Sequence, residues 1–180
     1  MWAALVKQYW QVSVFKESPA NTPYSLLLLI GIAIFFLVLI ALQWLVTDVK
    51  NQLTFPHALG ASISLSVSYM VYTFILLSLF HVANRTVQTL SCLLAGHLIV
   101  HVIAFPLLLI IPVIAVNNIP QPFGLLFGIV YLILTLILTV WQFMLTAYIY
   151  KQALVIEYLP AILASLGLLA TNILIISLWR

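Results

Sequence analysis

The sequence predicts an all-α fold, a polytopic membrane helix bundle with about five transmembrane helices and a short N-terminal interfacial helix. Three observations predict it. The chain is 66% hydrophobic and only 5% charged, whereas a soluble domain carries about 25% charged residues. Its six Lys or Arg and three Asp or Glu side chains are too few to coat a water-facing surface, so most of the exterior must meet lipid. The apolar residues fall in five long runs, and the polar breakers between them are short. The 180 residues therefore form one integral membrane domain.

Residues 1–22 form the N-terminal interfacial segment. Trp2, Leu5, Val6, Tyr9 and Val12 recur at helical spacing, with Lys7, Gln8 and Gln11 on the other side, the pattern of a helix lying along the membrane surface. A cleavable signal is not expected, because no long apolar centre is followed by a small-residue cleavage site. The turn Ser18-Pro19-Ala20-Asn21-Thr22-Pro23 ends this helix and leads into the first span.

The five spans are expected at about 25–46, 57–82, 90–116, 123–150 and 159–179, each meeting the roughly 20 residues that a 30 Å hydrocarbon core requires. Residues 47–56, 83–89, 117–122 and 151–158 separate them, and such short connections make neighbouring helices antiparallel. The fourth run is long for one span, and Tyr148, Tyr150 and Lys151 at its end read as an interfacial anchor. Lys7, Lys16, Arg85 and Lys151 fall on one side, Lys50 and Arg180 on the other. The excess places the N-terminus in the cytoplasm and the C-terminus outside. Short loops and the lone Cys92, which cannot close an intrachain disulfide, fit a bacterial cytoplasmic (inner) membrane. The basic residues are scattered singly, so nucleic acid is not an expected partner.

Ionisable residues inside a membrane are expensive and are functional candidates by default. His97 and His101 lie four residues apart on one face of the third span. A hairpin turning near Arg85 and Thr86 would bring His81 and Cys92 into the same neighbourhood. Imidazole and thiolate suit zinc, copper or haem iron, and the same residues suit a proton path. Equally, each ring can hydrogen-bond a neighbouring helix and serve packing alone. No cofactor is required by any motif.

Gly60, Ser64 and Ser68 on the second span, and Gly124 and Gly128 on the fourth, are small residues at four-residue spacing. Such faces permit close helix packing, here within the bundle in preference to a dimer, although a homo-oligomer stays open. Pro106 and Pro112 each remove a hydrogen bond from the third span and favour kinks. Trp141, Gln142, Thr171 and Asn172 add polar groups that should face the interior. No acid lies within a span, and Glu17, Asp48 and Glu157 do not converge, so no catalytic carboxylate pair is expected. Phosphate-binding glycine loops and His-Glu-x-x-His are absent from the sequence. The chain is expected not to be an enzyme.

The Ser18-Pro19 and Pro23-Tyr24-Ser25 lead-in to the first span, and Trp141-Gln142-Phe143 in the fourth, resemble bacterial members of the Yip1 family. That resemblance implies a five-span fold and a non-enzymatic role organising other membrane components. The extended cytoplasmic N-terminal region of eukaryotic members is missing, so GTPase binding is not carried over. The leading expectation is thus a scaffold, assembly factor or accessory subunit, with the bilayer and other membrane proteins or further copies as partners. The alternative is a transporter or redox subunit that uses the histidines.

Overall fold

The computed structural model describes residues 2–48, 54–116 and 121–179, with side chains over 3–48, 54–110 and 124–179. Lys50, Arg180 and residues 117–120 lie outside the described residues. Six α-helices follow in order: α1 Trp2–Ser13, α2 Leu26–Thr47, α3 Phe55–Leu79, α4 Thr86–Val116, α5 Gln121–Leu154 and α6 Tyr158–Leu178. All regular elements among the described residues are helical. Helices α2 to α6 are long and apolar enough to cross a membrane, so the expected all-α bundle with five spans is observed.

Local chemistry sets the helix ends. Ser25 caps α2 by accepting from the Leu28 N–H at 3.3 Å, satisfying one of the donors that a helix start leaves unpaired. Pro56 stands in the first turn of α3, where its missing N–H costs nothing. At the other end, the Val82 N–H reaches back to the Leu77 carbonyl at 2.9 Å while His81 takes a left-handed φ of 59°. This is a Schellman-type stop, with histidine in the position that usually favours glycine.

Three of the expected boundaries shift as a result. The second span's helix ends at Leu79 instead of 82, the third begins at Thr86 instead of 90, and the fourth runs to Leu154 instead of 150. Hydropathy marks where lipid ends, whereas capping and turn geometry decide where the helix ends.

Helix α2 packs on α3 and α4, α4 on α5, α5 on α6, and α6 on α3. The five spans therefore close into a ring in the order α2, α3, α6, α5, α4. The first half of α4 is the most enclosed part of the molecule, with every residue from Thr89 to His97 buried.

The N-terminal helix forms as expected, but it does not simply lie on a surface. Tyr9 sits beside Cys92, and the Ser13 hydroxyl approaches Gly96, so α1 runs along α4. Gly96 is ten residues into α4, about 15 Å from its start. The Trp141 indole N–H donates to the Ser13 carbonyl at 2.9 Å, and Trp10 meets the Trp141 ring edge-on at 6.3 Å.

The chain reverses at Phe15, φ 62°, and returns past Tyr148, whose hydroxyl donates to the Glu17 carbonyl at 3.1 Å. Gln88 then donates to the carbonyls of Ala20 and Thr22. Val6, expected on the apolar side, is exposed, because the docked face is set by Tyr9, Val12 and Ser13. A Cβ at Gly96 would come within 2.6 Å of Leu145 Cδ2, so any larger residue there must displace the Leu145 side chain in the seam between α4 and α5.

Candidate functional site

Helix α5 carries Tyr131, Thr135, Thr139, Gln142 and Thr146, a spacing that stacks them on one face. That face turns into the ring and lines two adjoining chambers. The larger, about 580 Å³, is bounded on α2 by Gln43, Trp44 and Thr47, on α4 by His101, and on α5 by Tyr131 to Gln142. The smaller, about 230 Å³, shares His101, Thr139 and Gln142 with it and continues past Tyr69, His97 and Thr146 to Asn172. Among the described residues no charged side chain lines either chamber.

His97 is fully wired at the bottom of this crevice. Its Nδ1 lies 2.8 Å from both the Tyr69 hydroxyl and the Gln142 amide nitrogen. The amide nitrogen only donates, so Nδ1 accepts, its single lone pair shared between the Gln142 amide and the Tyr69 hydroxyl, and the ring is neutral with its proton on Nε2. Nε2 donates to Thr146 Oγ1 at 2.8 Å, and Thr146 donates onward to the Gln142 carbonyl at 2.9 Å. A chain of neutral hydrogen bonds thus ties α3, α4 and α5 together.

His101, one turn further along α4, is different. Its backbone carbonyl accepts from the Gln43 amide at 3.0 Å, and Phe36 packs edge-on against its ring at 5.9 Å. The ring borders both chambers, and its nitrogens have no hydrogen-bond partner among the described residues.

The expected neighbourhood of three imidazoles and a thiol is not assembled. His81 is exposed, because α3 stops before it and the left-handed turn carries it outward. Cys92 is buried, but its Sγ lies 3.1 Å from Thr22 Oγ1 on the side of α4 covered by the N-terminal segment. Five residues separate it from His97, about 140° around a helix. Among the described residues no three His, Cys, Asp or Glu side chains converge as a metal site would need. His57 lies at the far end, edge-on to Trp179 at 5.3 Å.

The small-residue faces also diverge. Gly60 lies under the Trp179 ring, Ser64 borders a groove beside Thr171, and Ser68 donates to Asn172 Oδ1 at 2.9 Å. All three face α6. On α5 the expected intramolecular contact fails at Gly128, where nothing lies within 4 Å of an added Cβ. Gly124 is partly exposed. Helix α4 stays helical through Pro106 and Pro112; the Gln43 donation to His101 falls just before the Pro106 turn, while the Pro112 side chain lies outside the described residues.

The threonine and tyrosine stripe is the feature that sequence reading passed over. Its signal was available as a helical period of polar residues in an apolar helix, and only Gln142 had been marked. Away from the crevice, burial pushes the Tyr9 phenol up to about 12, and neighbouring Cys92 adds to the shift. The Tyr9 hydroxyl is buried with no hydrogen-bond partner among the described residues.

The ring and crevice define a multi-pass helical membrane protein with an uncharged polar interior. No family model, no curated protein and no solved structure matches the chain.

Proposed function

We propose that this protein is an accessory or assembly subunit of Yip1-like architecture, one that holds other membrane components instead of converting a substrate. The supporting observation is the unmatched length of α4 and α5. Gln43 bonds the His101 carbonyl; beyond that level α2 continues only to Thr47, whereas α4 continues to Val116. Helix α5 extends as far on its own side, and from Leu125 to Val140 most of its side chains are exposed around the helix. Apart from the stripe at Tyr131, Thr135 and Thr139 this stretch is apolar around the helix and needs apolar cover, and at 34 residues the helix is about 51 Å long, well beyond the roughly 30 Å hydrocarbon thickness. A partner along this arm supplies the cover.

The proposed location is a bacterial cytoplasmic membrane with the N-terminus inside. Arg85 and Lys151 stand at the end of the ring that carries α1 with Lys7 and Lys16, which supports that orientation. Arg85 donates to the Ala153 carbonyl at 3.0 Å, and Lys151 lies 3.4 Å over the Tyr158 ring.

Photo-crosslinkers at Leu126 and Leu132 in native membranes, compared with Leu27 and Phe35 on α2, test the reading. Discrete protein adducts from the α5 positions alone are expected. Lipid adducts alone from all four positions would remove it.

A second reading is favoured by the α5 polar stripe: a binding or permeation component working through the crevice. Metal or haem ligation at His97 and His101 is the less supported form, since one ring is held by protein groups and no third ligand is near among the described residues. Water access to the crevice is the minimum this second reading demands.

A further inference from the structure

We infer that the crevice around His101 is a binding site for an uncharged single-chain amphiphile with a hydroxyl or carbonyl head group; this rests on the second reading above. The lining decides the class of ligand. Among the described residues neither chamber contains a charged side chain, so an ionic head group seated beside His101 would meet no counter-charge from them, at high cost in a low-dielectric setting.

The polar groups present are neutral and mixed in kind. The hydroxyl protons of Thr135 and Thr139 are committed to the carbonyls of Tyr131 and Thr135, at 2.9 and 2.8 Å. Their oxygens therefore face the crevice as acceptors. The His101 ring, whose nitrogens have no partner among the described residues, offers one donor and one acceptor. Such a surface suits a head group that both gives and receives hydrogen bonds.

The opposite wall is apolar, formed by Ile40, Leu65, Val100, Leu108 and Ile176, which suits an alkyl chain. From Thr146 to Tyr131 the crevice follows about 22 Å of α5. Its larger chamber, about 580 Å³, lies within the 300–1,000 Å³ range common for small-molecule sites. Thr47, the last residue of α2, borders it, so the crevice reaches the end of the ring where α2 stops and the α4–α5 arm begins. An amphiphile can enter there from the membrane with its head directed toward His101.

The test uses the full chain in lipid nanodiscs with Thr135→Cys in the crevice and Leu126→Cys on the exposed side of α5. The native Cys92 is buried and leaves the introduced thiol as the reactive one. A charged methanethiosulfonate reagent reports water access, and monodecanoin is the probe, with decanoate and decyltrimethylammonium as charged amphiphiles of the same chain length. Modification at 135 is expected without probe, slowed about tenfold by monodecanoin and less than about twofold by either charged amphiphile. His101→Ala should raise the half-protecting concentration about tenfold, the loss of one good hydrogen bond, with His101→Asn recovering part of it.

Modification that no amphiphile slows would overturn the ligand assignment while leaving a water-accessible path in place. Equal protection by all three amphiphiles would overturn it as mere partition into an apolar space. A thiol at 135 that never reacts would remove both the ligand and the crevice reading. If His101→Ala does not fold, the contrast between charged and uncharged probes at Thr135→Cys still decides the matter.

Discussion

The two halves of α4 and α5 share a composition and live in different surroundings. Near the N-terminal helix, α4 is buried on every side from Thr89 to His97, and α5 from Leu145 to Leu154 packs almost as closely, with Leu145, Ile149 and Tyr150 inaccessible. Toward the 117–120 turn, the same two helices expose Val102, Ile103, Leu125 and Phe127. The difference lies in what accompanies the leucines and isoleucines. The enclosed half has a glycine facing Leu145 across the α4–α5 seam and a histidine whose ring is bonded by three neighbours. The open half has neither, and its polar residues line a crevice instead of bonding another helix. Hydrophobicity puts both halves in the membrane; close packing and hydrogen-bond closure make only one of them a core.

The largest effect that can break this comparison comes from glycine. Gly96→Leu should destabilise the fold by about 3 kcal/mol, because the seam is already tight and over-packing strains it. Gly128→Leu, facing open space, should change stability by less than about 0.5 kcal/mol. Denaturant-induced unfolding of purified protein, followed by tryptophan fluorescence, measures both. Equal effects would mean that the two halves are not distinct. Next comes His97→Ala, expected to cost about 2 kcal/mol by removing a buried ring and stripping Tyr69 and Gln142 of their bond to it, while Thr146 keeps its bond to the Gln142 carbonyl. His101→Ala strands no hydrogen-bond partner among the described residues and loses only the ring's packing against Phe36, so it should cost about 1 kcal/mol, less than His97→Ala. The pair separates a histidine that holds the fold from one available to a ligand.

Much of the enclosed half was legible in the sequence. Five apolar runs gave the spans, Ser25 and the Ser18-Pro19 turn gave the lead-in, and the Gly60, Ser64 and Ser68 period marked the seam with α6. What stayed hidden depends on which helices become neighbours. Depth along two adjacent spans can be estimated from the turn between them, and that estimate placed His81 and Cys92 near His97. The azimuth of each side chain cannot be estimated that way, and it sends Cys92 toward Thr22 and His81 outward. The α5 stripe was readable as a helical period, but that a crevice lies in front of it follows only from the ring order α2, α3, α6, α5, α4. Gly128 shows the converse: a residue of a packing motif with nothing against it among the described residues.

Smaller effects sharpen the comparison at its edges. Leu126→Ser and Leu132→Ser on the open half should leave the isolated protein's stability within about 0.5 kcal/mol, yet weaken crosslinking to a partner from a photo-crosslinker at the exposed Ile129 or Leu136 about fivefold if the arm is a contact surface. Normal crosslinking in the double variant would send the search for a partner to another face.

The smallest change concerns Tyr9, where the docked N-terminal helix meets the enclosed half. Its phenol is raised from 10.0 to about 12 by burial and by neighbouring Cys92. A raised phenol favours the neutral form in the folded state, so its contribution to docking is complete below pH 10 and is lost as pH rises from 10 toward 12. Between those values α1 should loosen from α4 and uncover Cys92, increasing its modification by a neutral maleimide beyond the general rise in thiolate. Tyr9→Phe has no proton to lose and also removes the unpartnered hydroxyl. It should keep Cys92 protected across the same range, with stability at neutral pH equal to or about 0.5 kcal/mol above that of the parent chain. If both proteins expose Cys92 at the same pH, titration of Tyr9 does not govern the docking of α1, and the boundary between the two halves of α4 rests on packing at Gly96 alone.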